Sequence, residues 1–379
     1  MRGRFRLALL GGILLALLAW TTHMKIRNAP EPRYKILDLG PLGLSAVFPR
    51  ALNEEGHIVG MFQHGTESSA FLWTEKDGFT NLSEEAGLLT DSTESQAVAL
   101  DDSGEILLTA KLPGEIHLLL RRSPSGEIEE LHRGPDRCET LGLAGDGKVV
   151  ATFREMGVNR SRTFLWQEGI QGSLISDSSP DCLYCGANGI NRAGWIVGRT
   201  GLPEGPGAFL LEPGGVPQAL SGLDWLSDTI ALDINDRGQV VGTGPMESDD
   251  VKGFLWSKEL GGARLEDSEA LSVFPQALNN AGLIVGYYRY SVWKTKKQRL
   301  TLARYATLFG MRGPRLRGYA RACIWEDGKR FNLNELIPDN PDWDNLYAAT
   351  DINNSGRIIG HGLLRTGESR GFLLTPIGQ

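Results

Sequence analysis

The chain is poor in what metal and redox chemistry needs. Its 379 residues include four cysteines and six histidines. The histidines (His23, His57, His64, His117, His132 and His361) are scattered, with no His-x-x-x-His pair and no His/Cys cluster, so a zinc centre finds no support. Cys182-Leu-Tyr-Cys185 has no second CxxC and no βαβ pattern around it, which leaves redox and structural-zinc readings weak. No Gly-x-Ser-x-Gly occurs, so the nucleophile turn of an α/β-hydrolase is missing. Excess positive charge is lacking too: the formal net charge is −7, which argues against a protein that coats nucleic acid overall. Eighteen prolines without a Gly-X-Y period exclude collagen. Beyond the N-terminus no segment reaches 18 apolar residues, so everything from about Pro30 onward belongs in one aqueous compartment. No catalytic residue, metal ligand or cofactor is assigned.

What is present is enough to fold. Apolar residues make up 41% and charged residues 22%, so the chain can bury a core. Glycine, at 48 residues, is well above the usual ~7% and points to many tight turns. At the N-terminus Arg2, Arg4 and Arg6 precede an uncharged run from Leu7 to Thr22, the pattern of a secretory signal. The run is short for a membrane span of ~20 residues, and Leu17-Leu18-Ala19 is a poor cleavage site. Residues 1–33 thus read as a signal peptide or signal-anchor plus a short linker, and the expected location is extracytoplasmic, secreted or anchored.

Internal repetition is the strongest signal. Seven segments share one pattern: an apolar residue, Asn or Asp (absent from the third, which has Ala144), two variable residues, Gly, one residue, two aliphatics. Leu52-Asn53-Glu54-Glu55-Gly56 before Ile58-Val59-Gly60 is the first, and Ile352-Asn353 with Gly356 and Ile358-Ile359-Gly360 is the last. The turn glycines stand at 56, 104, 147, 194, 238, 282 and 356, with spacings of 48, 43, 47, 44, 44 and 74. A second landmark follows each, such as Phe71-Leu72-Trp73, Phe164-Leu165-Trp166, Phe254-Leu255-Trp256 and Cys323-Ile324-Trp325. A period in the forties built of short apolar runs between glycines fits four strands, a to d, per unit. Asn-x-x-Gly is hairpin chemistry between a and b, because Asn tolerates the turn start and Gly takes the positive φ that closes it. In the first unit the strands fall near Ala46–Leu52, His57–Phe62, Ala70–Thr74 and Phe79–Leu82.

Seven such units predict an all-β fold, a seven-bladed β-propeller of four-stranded blades. Counting also predicts how the ring closes. After Leu374 only five residues remain, too few for a strand d, while Tyr34-Lys35-Ile36-Leu37-Asp38-Leu39 has no unit of its own. The N-terminal strand, 34–39, is therefore expected to complete the last blade of a single domain spanning 34–379. These motifs resemble the HAF-repeat family of extracellular bacterial proteins, whose pattern runs Ala-x-x-Ile-Asn-x-x-Gly-x-Val-Val-Gly, then Ala-Phe-Leu-Trp, then Asp-Leu-Gly. Here it reads Ala231-Leu232-Asp233-Ile234-Asn235-Asp236-Arg237-Gly238-Gln239-Val240-Val241-Gly242, with Asp38-Leu39-Gly40 before the first unit. The resemblance covers about residues 34 to 379 and implies export and a propeller; it implies no catalytic residues.

Asp233-Ile-Asn235 and Asp351-Ile-Asn353 superficially suggest calcium loops, but Arg237 and Ser355 stand where a ligand is needed, so these are turns. Trp73, Trp166, Trp256 and Trp325 recur at the second landmark of four units and are expected to pack between blades. Cys138 and Cys185 lie nine residues before their units' turn glycines. A disulfide from Cys138 to Cys182 or Cys185, a Cys182–Cys185 loop and free thiols all remain open; Cys323 is expected to be a buried free thiol.

The sixth unit carries an insertion, 287–321, with ten basic residues and no acidic one. Tyr290, Trp293, Lys294, Lys296, Lys297, Arg299, Arg304, Arg312, Arg315 and Arg317 are its candidate ligand-binding residues. A cationic, aromatic loop suits an anionic polymer, such as acidic polysaccharide or single-stranded nucleic acid, or an anionic lipid surface; the alternative is a solvated insertion that balances acidic loops nearby, such as Glu335, Asp339, Asp342 and Asp344. The functional expectation is an exported, non-catalytic propeller that binds at or near the cell surface. The alternatives are an enzyme acting on polysaccharide through carboxylates at the channel mouth, and a membrane-apposed scaffold.

Overall fold

The structure is a computed structural model. It describes residues 31–378 apart from 41–43, 45, 66, 86–91, 156, 158–159, 168–169, 178–185, 203–204, 247–249, 266–269, 291–318 and 339. The N-terminal signal or anchor segment, Cys182, Cys185 and most of the basic insertion, from Trp293 to Arg317, lie outside the described residues. Among the described residues no helix is long and apolar enough to cross a membrane.

The chain is all-β, arranged as antiparallel runs of four strands. Tyr34–Asp38 is β1. The first run is β2 (Ala46–Leu52), β3 (Ile58–His64), β4 (Glu67–Thr74) and β5 (Gly78–Asn81); β6 to β9 (Glu94–Leu100, Ile106–Leu112, Ile116–Arg122, Ile128–Gly134) form the second. The third comprises β10 to β13 (Arg137–Leu143, Val149–Glu155, Arg160–Gln167, Ile170–Asp177), and the fourth β14 to β17 (Gly186–Ile190, Ile196–Leu202, Gly205–Leu211, Gln218–Ala219). The fifth is β18 to β21 (Ile230–Ile234, Val240–Pro245, Val251–Ser257, Gly261–Arg264); β22 to β25 (Ser272–Leu278, Ile284–Tyr290, Tyr319–Glu326, Lys329–Asn332) are the sixth. Then β26 (Trp343–Ile352), β27 (Ile358–Leu364) and β28 (Ser369–Pro376) follow, and β28 pairs antiparallel with β1 from Tyr34↔Pro376 to Asp38↔Phe372. Single parallel pairs, Ala46↔Ser369 and Ser68↔Glu94, join neighbouring runs.

The local chemistry follows the sequence. Each Asn-x-x-Gly turn closes with its glycine at positive φ, as at Gly56 (89°) and Gly282 (85°), which only a residue without Cβ adopts cheaply. One feature of the inner strands is not apparent from periodicity. In six runs strand a carries a bulge three residues before the turn residue, at Arg50, Val98, Asn188, Leu232, Gln276 and Thr350, where the register to strand b slips by one. The bulge brings backbone against strand b, and glycine stands there in five runs: a Cβ on Gly60, Gly198, Gly242, Gly286 or Gly360 would lie 2.0–2.2 Å from a strand-a carbonyl oxygen. The core sits between runs. Trp325 is 1% exposed, and Trp166 and Trp256 are also buried, as expected of packing residues. Cys323 is fully buried. Among the described residues Cys138 has no disulfide partner, and burial pushes its thiol up to about 12; its two candidate partners fall outside the described residues.

Candidate functional site

The turns between strands a and b converge on one cavity of about 180 Å³, lined by residues from Leu52 and Glu54 through to Asn353 and Asn354. Its wall is a belt of asparagines. Within each turn the Asn Oδ1 accepts from backbone N–H groups two or four residues on: His57 N at 2.9 Å for Asn53, Ala281 N and Leu283 N at 3.0 Å for Asn279. That fixes the amide, and its Nδ2 then donates to the carbonyl of the equivalent residue in the next run. Asn191 donates to Asn235 O (3.1 Å), Asn235 to Asn279 O (3.0 Å), Asn279 to Asn353 O (3.0 Å), Asn353 to Asn53 O (3.0 Å) and Asn53 to Asp101 O (3.2 Å). All five asparagines are buried. Buried amides must be satisfied, and here each both closes its own hairpin and ties two runs together.

The next residue of each turn forms a second, more exposed circle. Glu54 N donates to Asp102 Oδ1, Arg192 N to Asp236 Oδ1, Asp236 N to Asn280 Oδ1, Asn280 N to Asn354 Oδ1 and Asn354 N to Glu54 Oε1, all at 2.7–3.1 Å. Arg192 reaches across the third run: its Nη2 donates to Asp102 Oδ2 and its Nε lies 3.8 Å from Asp236 Oδ2. It passes over Gly145, where a Cβ would stand 3.2 Å from Nε. The rim therefore carries three carboxylates, Glu54, Asp102 and Asp236, and one guanidinium.

Deeper in, Asp233 and Asp351 sit just past the bulges of β18 and β26. Asp233 accepts from Ile234 N and Leu278 N, and Asp351 from Ile352 N and Leu52 N, each strapping its run to the next. Burial pushes both carboxyls up, and the like charge of Asp233 pushes Asp351 further, to about 7. At the other end of the inner strands Phe48 meets the His361 ring edge-on at 5.7 Å, and burial pushes His361 down. Phe274 stacks on Tyr287 at 4.7 Å, with Arg289 over Phe274 at 5.1 Å. Of the ten candidate binding residues, Tyr290 alone falls among the described residues, at the end of β23 with Arg321 over its ring at 4.9 Å. Among the described residues no group of three or more His, Cys, Asp or Glu is placed to hold a metal.

In the sequence the turn asparagines show only as hairpin formers, and the belt is not apparent. The signal available is the residue type: Asp, Gly or Ser also start such turns, yet five of seven positions carry Asn, the side chain among these whose acceptor and donor are separate atoms, so that it can accept within the turn and donate away from it.

No family model and no curated protein matches the chain. Solved structures resemble it in shape. An acylaminoacyl peptidase from Pyrococcus horikoshii matches at 12% identity and a TM-score of 0.55, over 86% of this chain and 51% of its own; a prolyl endopeptidase structure matches at 10% and 0.52, over 92% and 51%. TolB from Acinetobacter baumannii matches at 12% and 0.42, over 85% and 80%. The chain spans about half the length of the two peptidases. These likenesses are of fold alone, and they correct one expectation. A non-catalytic surface-binding protein was expected, with a polysaccharide enzyme or a membrane-apposed scaffold as alternatives. An architecture shared with peptidases over nearly the whole chain removes the ground for that reading, because a fold hosts more than one chemistry.

Proposed function

We propose that this chain is the propeller portion of a hydrolase acting on peptides, and that its axial mouth admits a peptide end towards the catalytic portion. The reading includes the finer architecture: seven blades, closed into a ring by the pairing of β1 with β28. The belt bond from Asn353 to Asn53, which joins the last run to the first, supports closure, and so does the β1–β28 register. It also includes the resemblance of the repeats to the HAF family and the export that this resemblance and the N-terminal pattern imply.

The observation that carries the reading is the rim of the mouth. A peptide presents an ammonium at one end, a carboxylate at the other and amide groups between. The rim presents carboxylates at Glu54, Asp102 and Asp236, a guanidinium at Arg192, and amides at Asn280 and Asn354. Opposite charges are thus available to either end of the substrate. The peptidase names of the two similar structures agree with it, one of them described in terms of inter-domain dynamics in catalysis and specificity.

The test uses the full chain, tagged at its C-terminus and isolated from its own cells. Hydrolysis of a panel of fluorogenic peptide amides is expected to co-purify with the tag and to fall at least about tenfold for Arg192→Ala, the size of one lost charge-assisted contact. Isolated chain with no peptide hydrolysis above a mock preparation, from acid to alkaline pH, sinks the reading.

A further inference from the structure

The asparagine belt has a break, and its chemistry points to a ligand. The turn position of the second run is Asp101 and that of the third is Ala144. Asp101 otherwise behaves like the asparagines: its Oδ1 accepts from Ser103 N and Glu105 N at 2.9 Å, the same pair of positions that Asn279 and Asn235 use. Its second terminal atom therefore takes the place of the amide nitrogen that elsewhere donates to the next run. That atom is an oxygen. Asp101 is 6% exposed, and among the described residues its Oδ2 has no hydrogen-bond partner. At the equivalent place in the next run stands Ala144, whose carbonyl is the counterpart of the acceptors used at the other joints and which lines the same cavity. This joint thus has an acceptor on each side where every asparagine joint has a donor. A buried carboxylate oxygen without a donor is costly, so the site asks for a donor that also carries positive charge.

We propose that the axial mouth binds a protonated primary amine, the amino terminus of a peptide, between Asp101 Oδ2 and the Ala144 carbonyl. This deepens the peptide-hydrolase reading and rests on it for the identity of the ligand. An ammonium has three hydrogens, each needing an acceptor; the two oxygens of the break supply two, and water in the polar cavity supplies the third. A bare metal ion fits less well, since the break offers one carboxylate and one carbonyl, and no metal-holding group of three acidic, His or Cys side chains is found among the described residues. The neighbouring rim already holds one nitrogen cation on carboxylates, Arg192 on Asp102. The break lies beneath that arm, so the amine enters beside a guanidinium and its own carboxylates rather than in their place.

The experiment is equilibrium binding to the full chain, by calorimetry, of alanyl-alanine amide, its N-acetylated counterpart, and sodium and calcium chlorides. The free amine is expected to bind and the acetylated peptide to bind at least about tenfold more weakly. Asp101→Asn should remove binding while raising Tm by about 1–2 °C, because an amide there completes the belt towards Ala144; that variant restores the residue type of five other turns and so is expected to fold. Equal binding of the acetylated peptide, retention of binding in Asp101→Asn, no binding of the amine at all, or calcium displacing the amine one for one would each overturn the assignment. Since no turnover is measured, loss of amine binding sinks this site alone, and loss of hydrolysis with binding intact sinks the hydrolase reading alone.

Discussion

At the residue scale the most consequential side chains are two carboxylates of the inner strands, Asp233 and Asp351, that burial pushes up. Asp351 is held near pH 7 by burial first and by Asp233 second, against the pull of Leu52 N–H and Ile352 N–H, with Glu54 adding like charge. A carboxyl whose folded pKa lies above its unfolded value binds its proton more tightly in the folded state. Its contribution to stability is fully present below about pH 4 and is lost as pH rises towards 7. Removing the charge of Asp233 should lower the Asp351 pKa and move that loss to more acid pH. Ala stands at the matching place in three other runs, Ala51, Ala99 and Ala277, so Asp233→Ala is compatible with the backbone. Carboxyl carbon chemical shifts of Asp351 followed against pH check this; an unchanged midpoint in Asp233→Ala means the two charges do not communicate. Neither carboxylate could be paired from sequence. The pattern shows each only as part of a turn, and the influence of Asp233 on Asp351 runs between two runs that are not neighbours in the chain.

At the element scale the hairpins were legible and the bulges were not. Asn-x-x-Gly gives both the turn and its direction, and strand β2 was expected where it lies, Ala46–Leu52. The strand-b glycines recur with the repeat, at Gly60, Gly198, Gly242, Gly286 and Gly360. Their actual cause is a close approach: the strand-a bulge pushes the Phe274 carbonyl to within 2.1 Å of where a Gly286 Cβ would be, and Pro275 Cα to 2.9 Å. Backbone atoms cannot swing aside as a side chain can, so Gly286→Ala is expected to cost about 2–3 kcal/mol. Gly78 is a useful contrast. It has φ 71° and nothing within 4 Å of its would-be Cβ, so Gly78→Ala meets only backbone strain of about 1–2 kcal/mol. Urea unfolding of the two variants separates the mechanisms; a Gly286→Ala chain as stable as the parent would mean that the bulge relaxes freely. The basic insertion is the opposite case, an element prominent in the sequence whose residues from Trp293 to Arg317 fall outside those described.

At the scale of the whole molecule the question is what holds the first and last strands together. The deficit of one strand at the C-terminus and the surplus of one at the N-terminus were countable in the sequence, because the repeat supplies a ruler. The belt that runs from the last run to the first was not, because its donors and acceptors stand one full repeat or more apart. β1 brings a ladder of five residue pairs to β28 and buries Tyr34, which joins a core of residues from the sixth run and from β26 to β28. Around it Arg33 N and Tyr34 N donate to Leu336 O, Ile377 N donates to Arg33 O, and Arg33 pairs with Glu326 at 2.9 Å. Removal of residues 1–38 should therefore cost about 4 kcal/mol or more, from ladder bonds of about 1 kcal/mol each and the loss of a buried aromatic. It also leaves β28 with a bare edge, and an unpaired edge recruits strands from other molecules. The truncated chain is expected to melt lower and to self-associate, as read by thermal unfolding and light scattering. A synthetic peptide of residues 31–40 should reverse both in a concentration-dependent manner, since it binds only the folded state. Should the truncated chain melt with the parent and stay monomeric, β1 would be an accessory strand, and the Asn353–Asn53 joint with the Ala46↔Ser369 bridge would have to hold the two ends together without it.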